Sequence, residues 1–171
     1  QKKFLEKGFY MAAWAEVGFV YLFTKDKVQS KKDIAKVKMW LWKGDPLAKT
    51  VFNILDISAV PLPINDVYTS LQTGLIDGVY ISPYGAMALQ WFTKTNYIMD
   101  YPLTYSIGAV LINKDKLFSI PDKERQILVN ETQQSMQKIV KKSRQDNKET
   151  LKILQENGME MVDITEDAEK L

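Results

Sequence analysis

Two tryptophans spaced two residues apart, Trp40 and Trp42, stand just ahead of the Lys43-Gly44-Asp45 turn. On an extended strand that spacing puts both indoles on one face. Such a pair either fills a core or offers flat aromatic faces and indole N–H donors to a bound solute. A carboxylate, Glu16, interrupts the apolar run Trp14-Ala15-Glu16-Val17-Gly18-Phe19. Inside a mostly buried strand it needs solvent at the strand's end or a polar partner, such as a solute amine or hydroxyl, and Trp14 can wall the same space. Covalent chemistry is poorly served. Histidine and cysteine are both absent, which removes the usual general base, the thiolate nucleophile and the commonest transition-metal ligands. No phosphate-binding glycine loop and no Gly-x-Ser-x-Gly elbow is present. An α/β enzyme would be left with Glu16, Asp45 and Asp77, which are not spaced as a working pair.

The elements that must carry these residues follow from pattern. Val17 to Thr24 and Val37 to Trp42 are rich in aromatic and β-branched residues and read as strands. Asp45-Pro46 opens a helix to about Leu55, and Ser58 to Leu62 is a short strand ended by prolines. The stretch Asn65 to Pro83 then holds a helix capped by Asn65 with Val67, Leu71 and Leu75 on one side, a break at Gly74 and a strand from Ile76 to Ile81. Ser82-Pro83 opens another helix, to about Lys94, with serine at the cap and proline at the first position. In open α/β sheets, ligands bind where strand carboxyl ends and helix starts meet. The alternation predicts an α/β fold with a mostly parallel sheet and helical crossovers. Tyr97 to Leu103 and Ser106 to Asn113 are further extended stretches. Pro121 to Asn157, free of Gly and Pro after its first residue and stopped by Gly158, predicts one long helix or two abutting ones. Its centre, KKSRQDNKET, has almost no apolar anchor, as expected of a helix bridging two packed bodies.

Composition sets the outer limits. A chain of 171 residues that is 46% hydrophobic can bury a sizeable core. Its 23 basic and 21 acidic side chains nearly cancel and the lysines are spread, so nucleic acid is not an expected partner. The longest apolar stretch, Phe9 to Phe23, is broken by Glu16 and falls short of the ~20 residues of a membrane-crossing helix, so direct membrane insertion is not expected. The charged start, with Lys2, Lys3, Glu6 and Lys7, flanks no secretory apolar core, so an exported form has already lost its signal.

Asp66-Val67-Tyr68, Leu71-Gln72-Thr73-Gly74, Asp77-Gly78 and Pro83 together resemble the periplasmic solute-binding proteins of TRAP transporters. Lys27 to Asp45 resembles that family's crossing from its first lobe to its second, and Leu117 to Gly158 its long carboxyl-side helix. The resemblance implies a periplasmic-binding-protein-like, two-lobed receptor without enzymatic activity. Such a receptor closes on a small organic solute and serves the membrane subunits of a TRAP transporter; a sensor partner is the alternative. It also implies a division in which residues 1–25 belong to an incomplete first lobe, 26–100 to the second, 101–120 to the return and 121–171 to the inter-lobe helix and tail. Members are nearly twice as long, so a first lobe is expected to be missing from the amino end.

Members hold carboxylated solutes through arginine, a planar bidentate donor. Here Trp40 stands at that position, two residues after Lys38, and Val20 stands at a second one. The resemblance therefore implies a solute other than a simple dicarboxylate, met by Trp40 with help from Trp42. Ser82 falls where some members place a ligand-touching asparagine, though it also reads as a plain helix cap. Val79 and Tyr80 replace the Glu-Trp pair of cation-using members, so neither metal nor cofactor is expected. Glu16 and Trp14 complete the expected ligand-binding set.

Overall fold

Sixteen residues, Phe9–Thr24, form one strand, β1, twice the length that local pattern suggests. Pairing explains the excess. Strand Thr104–Asn113 lies against β1, with backbone bonds from Lys114 N–H to Gly8 and from Leu103 N–H to Val20 bracketing an antiparallel ladder. Its partner arrives some eighty residues later in the chain, so no local signal announces it.

The computed structural model describes residues 1–164. The strands are β1, β2 (Lys38–Trp42), β3 (Ser58–Leu62), β4 (Gly78–Ile81), β5 (Tyr97–Met99), β6 (Thr104–Asn113) and β7 (Glu160–Val162). The helices are α1 (Lys2–Glu6), α2 (Lys31–Ile34), α3 (Pro46–Ile54), α4 (Val67–Thr73), α5 (Pro83–Ala88), α6 (Lys114–Phe118) and α7 (Asp122–Glu156). The sheet runs β3-β2-β4-β1-β5-β7, with β6 also on β1. It is mixed rather than mostly parallel. β2 pairs in parallel with β3 and β4, as helical crossovers require, whereas β1 runs antiparallel to β4 and β5. No crossover helix joins β1 to these neighbours in the same direction, so nothing forces a parallel match.

The chain divides into two compact units. The first comprises Gln1–Gly18 and Tyr105–Asp146; the second comprises Phe19–Thr104 and the chain from Asn147 on. In the second unit both faces of the sheet are covered. Side chains alternate along strands, so Phe23 and Trp40 join a cluster with Val67, Leu71, Val79 and Leu154, while Leu22, Met39 and Leu41 join Ile34 and Phe52 on the other face. The first unit buries far less. Among its described residues only Ala12 and Leu117 are buried apolar side chains, and Phe9, Val17, Ile107 and Leu111 remain exposed on its strands.

Local expectations mostly hold, with changes at element bounds: β4 begins at Gly78 rather than Ile76, β5 ends at Met99 rather than Leu103, and β6 begins at Thr104 rather than Ser106. Asn65 does not cap α4: a 3-10 turn, Ile64–Asp66, runs straight into the helix and Asp66 occupies the cap position without a side-chain bond. Gly74, at φ +76°, ends α4 in the left-handed conformation that glycine adopts without strain. The helix from Pro83 stops at Ala88 rather than near Lys94. Gln90 turns left-handed at φ +58°, and a separate 3-10 turn, Trp91–Lys94, then buries Trp91. α7 is a single 35-residue helix. Among the described residues no helix is long and apolar enough to cross a membrane.

Gly78 sits where β4 meets β1 and β2, and a Cβ there would approach Met39 Sδ to 2.5 Å, Val37 Cγ1 to 3.0 Å and Thr24 Cγ2 to 3.1 Å. Gly78→Ala is therefore expected to destabilise the second unit by about 1–3 kcal/mol through overpacking, read from denaturant midpoints at unchanged m-value.

Candidate functional site

β2 and β4 are parallel neighbours, and their carboxyl ends carry Trp42, Lys43 and Asp45 at and after the end of β2 and Ser82 with the start of α5 after β4. This is the edge at which α/β sheets receive ligands. Asp45 organises it. Its Oδ1 accepts from Ala48 N–H at 2.9 Å, capping α3, while its Oδ2 accepts from the Tyr80 hydroxyl at 3.1 Å. The same phenol oxygen accepts the Trp42 backbone N–H at 3.2 Å. Burial, together with the nearby Asp45 charge, pushes the Tyr80 phenol up to about 12, so it stays a neutral donor at any physiological pH.

The two tryptophans part company on this edge. Trp40 is only 4% exposed. Its face stacks on Tyr80 at 5.3 Å, its ring meets Trp91 edge-on at 5.1 Å, and its Nε1–H donates to Leu62 O at 3.0 Å. Face, edge and donor are all occupied, so Trp40 takes a core position and the expectation of an open indole there is corrected. Trp42, on the same side of β2 but at the strand's last position, outruns the elements that cover Trp40 and is 54% exposed.

Ser82 is also spoken for. It is 4% exposed, and its Oγ accepts the Gly85 N–H at 3.2 Å as the cap of α5. The neighbouring N–H groups are used as well: Tyr84 N–H donates to Asn147 Oδ1 at 3.1 Å and Ala86 N–H to Ser82 O at 2.9 Å. The start of α5 therefore offers its N–H groups to the chain itself. Just beyond it, Tyr84 projects a 53% exposed ring.

Glu16 and Trp14 lie in the first unit, where they line one cavity of about 700 Å³ together with Tyr10, Met136, Val140 and Arg144. Trp14 is 57% exposed. Glu16 faces a polar partner, as its position demanded, but the partner is the protein. Its Oε2 accepts Arg144 Nε–H at 2.7 Å and the Tyr105 hydroxyl at 2.6 Å, and its Oε1 accepts Arg144 Nη2–H at 2.7 Å. The guanidinium first, and the phenol second, hold the Glu16 carboxyl below its ordinary range; Glu16 in turn raises the Tyr105 phenol and the Arg144 guanidinium. Local reading left out Tyr105 and Arg144, which lie 89 and 128 residues from Glu16 in the chain.

Two expectations follow. Trp40→Ala should cost about 3–5 kcal/mol of unfolding free energy, whereas Trp42→Ala should cost about 0.5 kcal/mol or less, both read by denaturant titration. A depressed carboxylate stabilises the fold fully above its unfolded value near ~4.3 and loses that contribution as pH falls through the folded value. Melting temperatures taken from neutrality down to about pH 3 should thus fall more steeply for the native protein than for Glu16→Gln.

The family model described as bacterial extracellular solute-binding protein, family 7, matches residues 1–170. A curated solute-binding protein of Verminephrobacter eiseniae is 26% identical over 168 residues, covering 94% of this chain and 48% of that protein. Three solved structures share the fold. A Bordetella pertussis extracytoplasmic solute receptor binding pyroglutamic acid superposes with a TM-score of 0.90 at 16% identity, over 99% of this chain and 56% of its own. A TRAP periplasmic solute-binding protein of Haemophilus influenzae with bound L-gulonate gives 0.89 at 19% identity, over 99% and 55%. The sugar acid binding protein of Advenella mimigardefordensis in complex with galactonate gives 0.90 at 21%, over 99% and 55%. The chain thus spans about half the length of the relatives it matches. Matched over nearly all its residues and folded as these receptors are, the chain belongs to family 7 of the bacterial extracellular solute-binding proteins, a family of receptors and not of enzymes.

Proposed function

We propose that the protein is a periplasmic receptor that captures a small organic acid and delivers it to the membrane subunits of a TRAP-type transporter. The observation that carries this reading is the exposed Trp42, at the carboxyl end of β2 in a chain of this family. An indole exposed at that edge, with Lys43 after it and Tyr84 in the first turn of α5 after β4, suits a solute with a flat or apolar body and an anionic group. Organic acids occupy the structural relatives, among them pyroglutamic acid, L-gulonate and galactonate.

The arginine inventory narrows the class. The sequence holds two arginines. Arg125 bonds Asp122 and lies over the Phe118 ring, and Arg144 is engaged by Glu16. Within these residues a bidentate carboxylate clamp of the usual kind has no unengaged guanidinium, which favours a solute other than a small dicarboxylate. Lys43 supplies a point charge instead, and Trp42 supplies surface. Trp14 lines the first unit's own cavity. Trp40 and Ser82 support the site through packing and capping rather than by touching solute, and Glu16 is engaged within the first unit.

Calorimetric titration of the intact protein against aromatic and heterocyclic monocarboxylates, sugar acids, succinate and malate tests the reading. An aromatic or heterocyclic acid should bind, and Trp42→Ala should weaken it about tenfold while leaving the melting temperature of the free protein in place. Tight succinate or malate binding that survives Trp42→Ala would overturn the assignment of solute class. A native gene neighbourhood holding a kinase in place of permease subunits would redirect the partner from transport to sensing.

A further inference from the structure

The chain passes between its two units three times: in β1 at Gly18–Phe19, in β6 at Thr104–Tyr105 and in α7 at Asp146–Asn147. Each crossing contributes one side chain to a single cluster in the first unit. Glu16 lies two residues ahead of the first crossing, Tyr105 stands at the second, and Arg144 lies two residues ahead of the third. The Glu16 carboxylate accepts from both other members, with three charge-assisted bonds of 2.6 to 2.7 Å filling most of its acceptor sites. Three bonds on one carboxylate, from segments as far apart in sequence as residues 16, 105 and 144, are not needed to build β1, β6 or α7, each of which has its own backbone ladder.

We propose that Glu16, Tyr105 and Arg144 form a hinge clamp, which fastens the three crossing segments together at their first-unit ends so that they open and close as one body. Bending is then confined to the residues beyond the clamp. In β1 the next position able to absorb it is Gly18, held at φ +107°, where only glycine is at ease. In α7 the helix is gripped again immediately past the crossing, where Asn147 Oδ1 accepts the Tyr84 N–H within the second unit. The span from Arg144 to Asn147 is thus anchored at both ends by side chains, and residual motion falls between them. Glu16 and Arg144 serve here as positioning residues.

Amide hydrogen exchange on the intact protein, read by mass spectrometry without any solute, tests the clamp independently of the transport assignment. Glu16→Gln should speed exchange about tenfold in peptides covering all three crossings, around residues 15–18, 105–108 and 141–147, while peptides of β2, β3 and α4 keep their native rates. Tyr105→Phe, which leaves the ion pair intact, should produce a smaller change with the same threefold pattern. Acceleration limited to the substituted segment would overturn the proposal, because it would show three independent connections. Uniform acceleration throughout the first unit would overturn it equally, because the cluster would then be an ordinary stabilising contact.

Discussion

Strand β1 is the constraint on which the rest depends. A strand with backbone donors and acceptors on both edges must find partners for them, and β1 finds β4, β5 and β6. The register Tyr21↔Ile81 to Thr24↔Gly78 fixes where β4 lies, and β4 in turn fixes β2 through Met39↔Gly78. Only with β2 and β4 side by side do their carboxyl-end loops meet and present Trp42 and Tyr84 on a shared edge. The same strand, eight residues nearer the amino end than Thr24, carries Glu16 to its two partners. One continuous ladder therefore positions both sets of residues singled out for function.

Around the solute edge, the polar groups divide their labour. Asp45 caps α3 and receives the Tyr80 hydroxyl, and Tyr80 supports both the Trp42 backbone and the Trp40 face. A half-buried phenol used in this way is costly unless satisfied, and here both its donor and its acceptor capacity are in use. Beyond these supports, the edge exposes Trp42, Lys43 and Tyr84 among its side chains. That division suits a receptor, since pre-ordered supports lower the conformational cost of capture.

Much of this was legible in local pattern. Ser58–Leu62 is found with both its ends, Asp45-Pro46 and Ser82-Pro83 each open a helix by cap and proline, and the absence of Gly and Pro marks α7 through its full length. What local pattern could not supply is what depends on distant partners. Trp40 is a core residue because Tyr80 and Trp91 arrive forty and fifty residues later; its own neighbours on β2 look the same as those of Trp42. The polar centre of α7 reads as unanchored because anchoring was sought in apolar side chains. Arg144 and Asn147 do it with hydrogen bonds and charge instead, and Thr150 is buried beside them in sequence.

The placement of the four tryptophans has a spectroscopic consequence. Trp40 and Trp91 are sealed in the second unit, Trp42 lies open on its edge, and Trp14 is the sole indole of the first unit. Emission from the sealed pair is shielded from collisional quenchers, whereas the other two report separately on the β2 edge of the second unit and on the first unit. Single Trp→Phe replacements at the two open positions turn the native chain into a pair of label-free optical probes, one for each half.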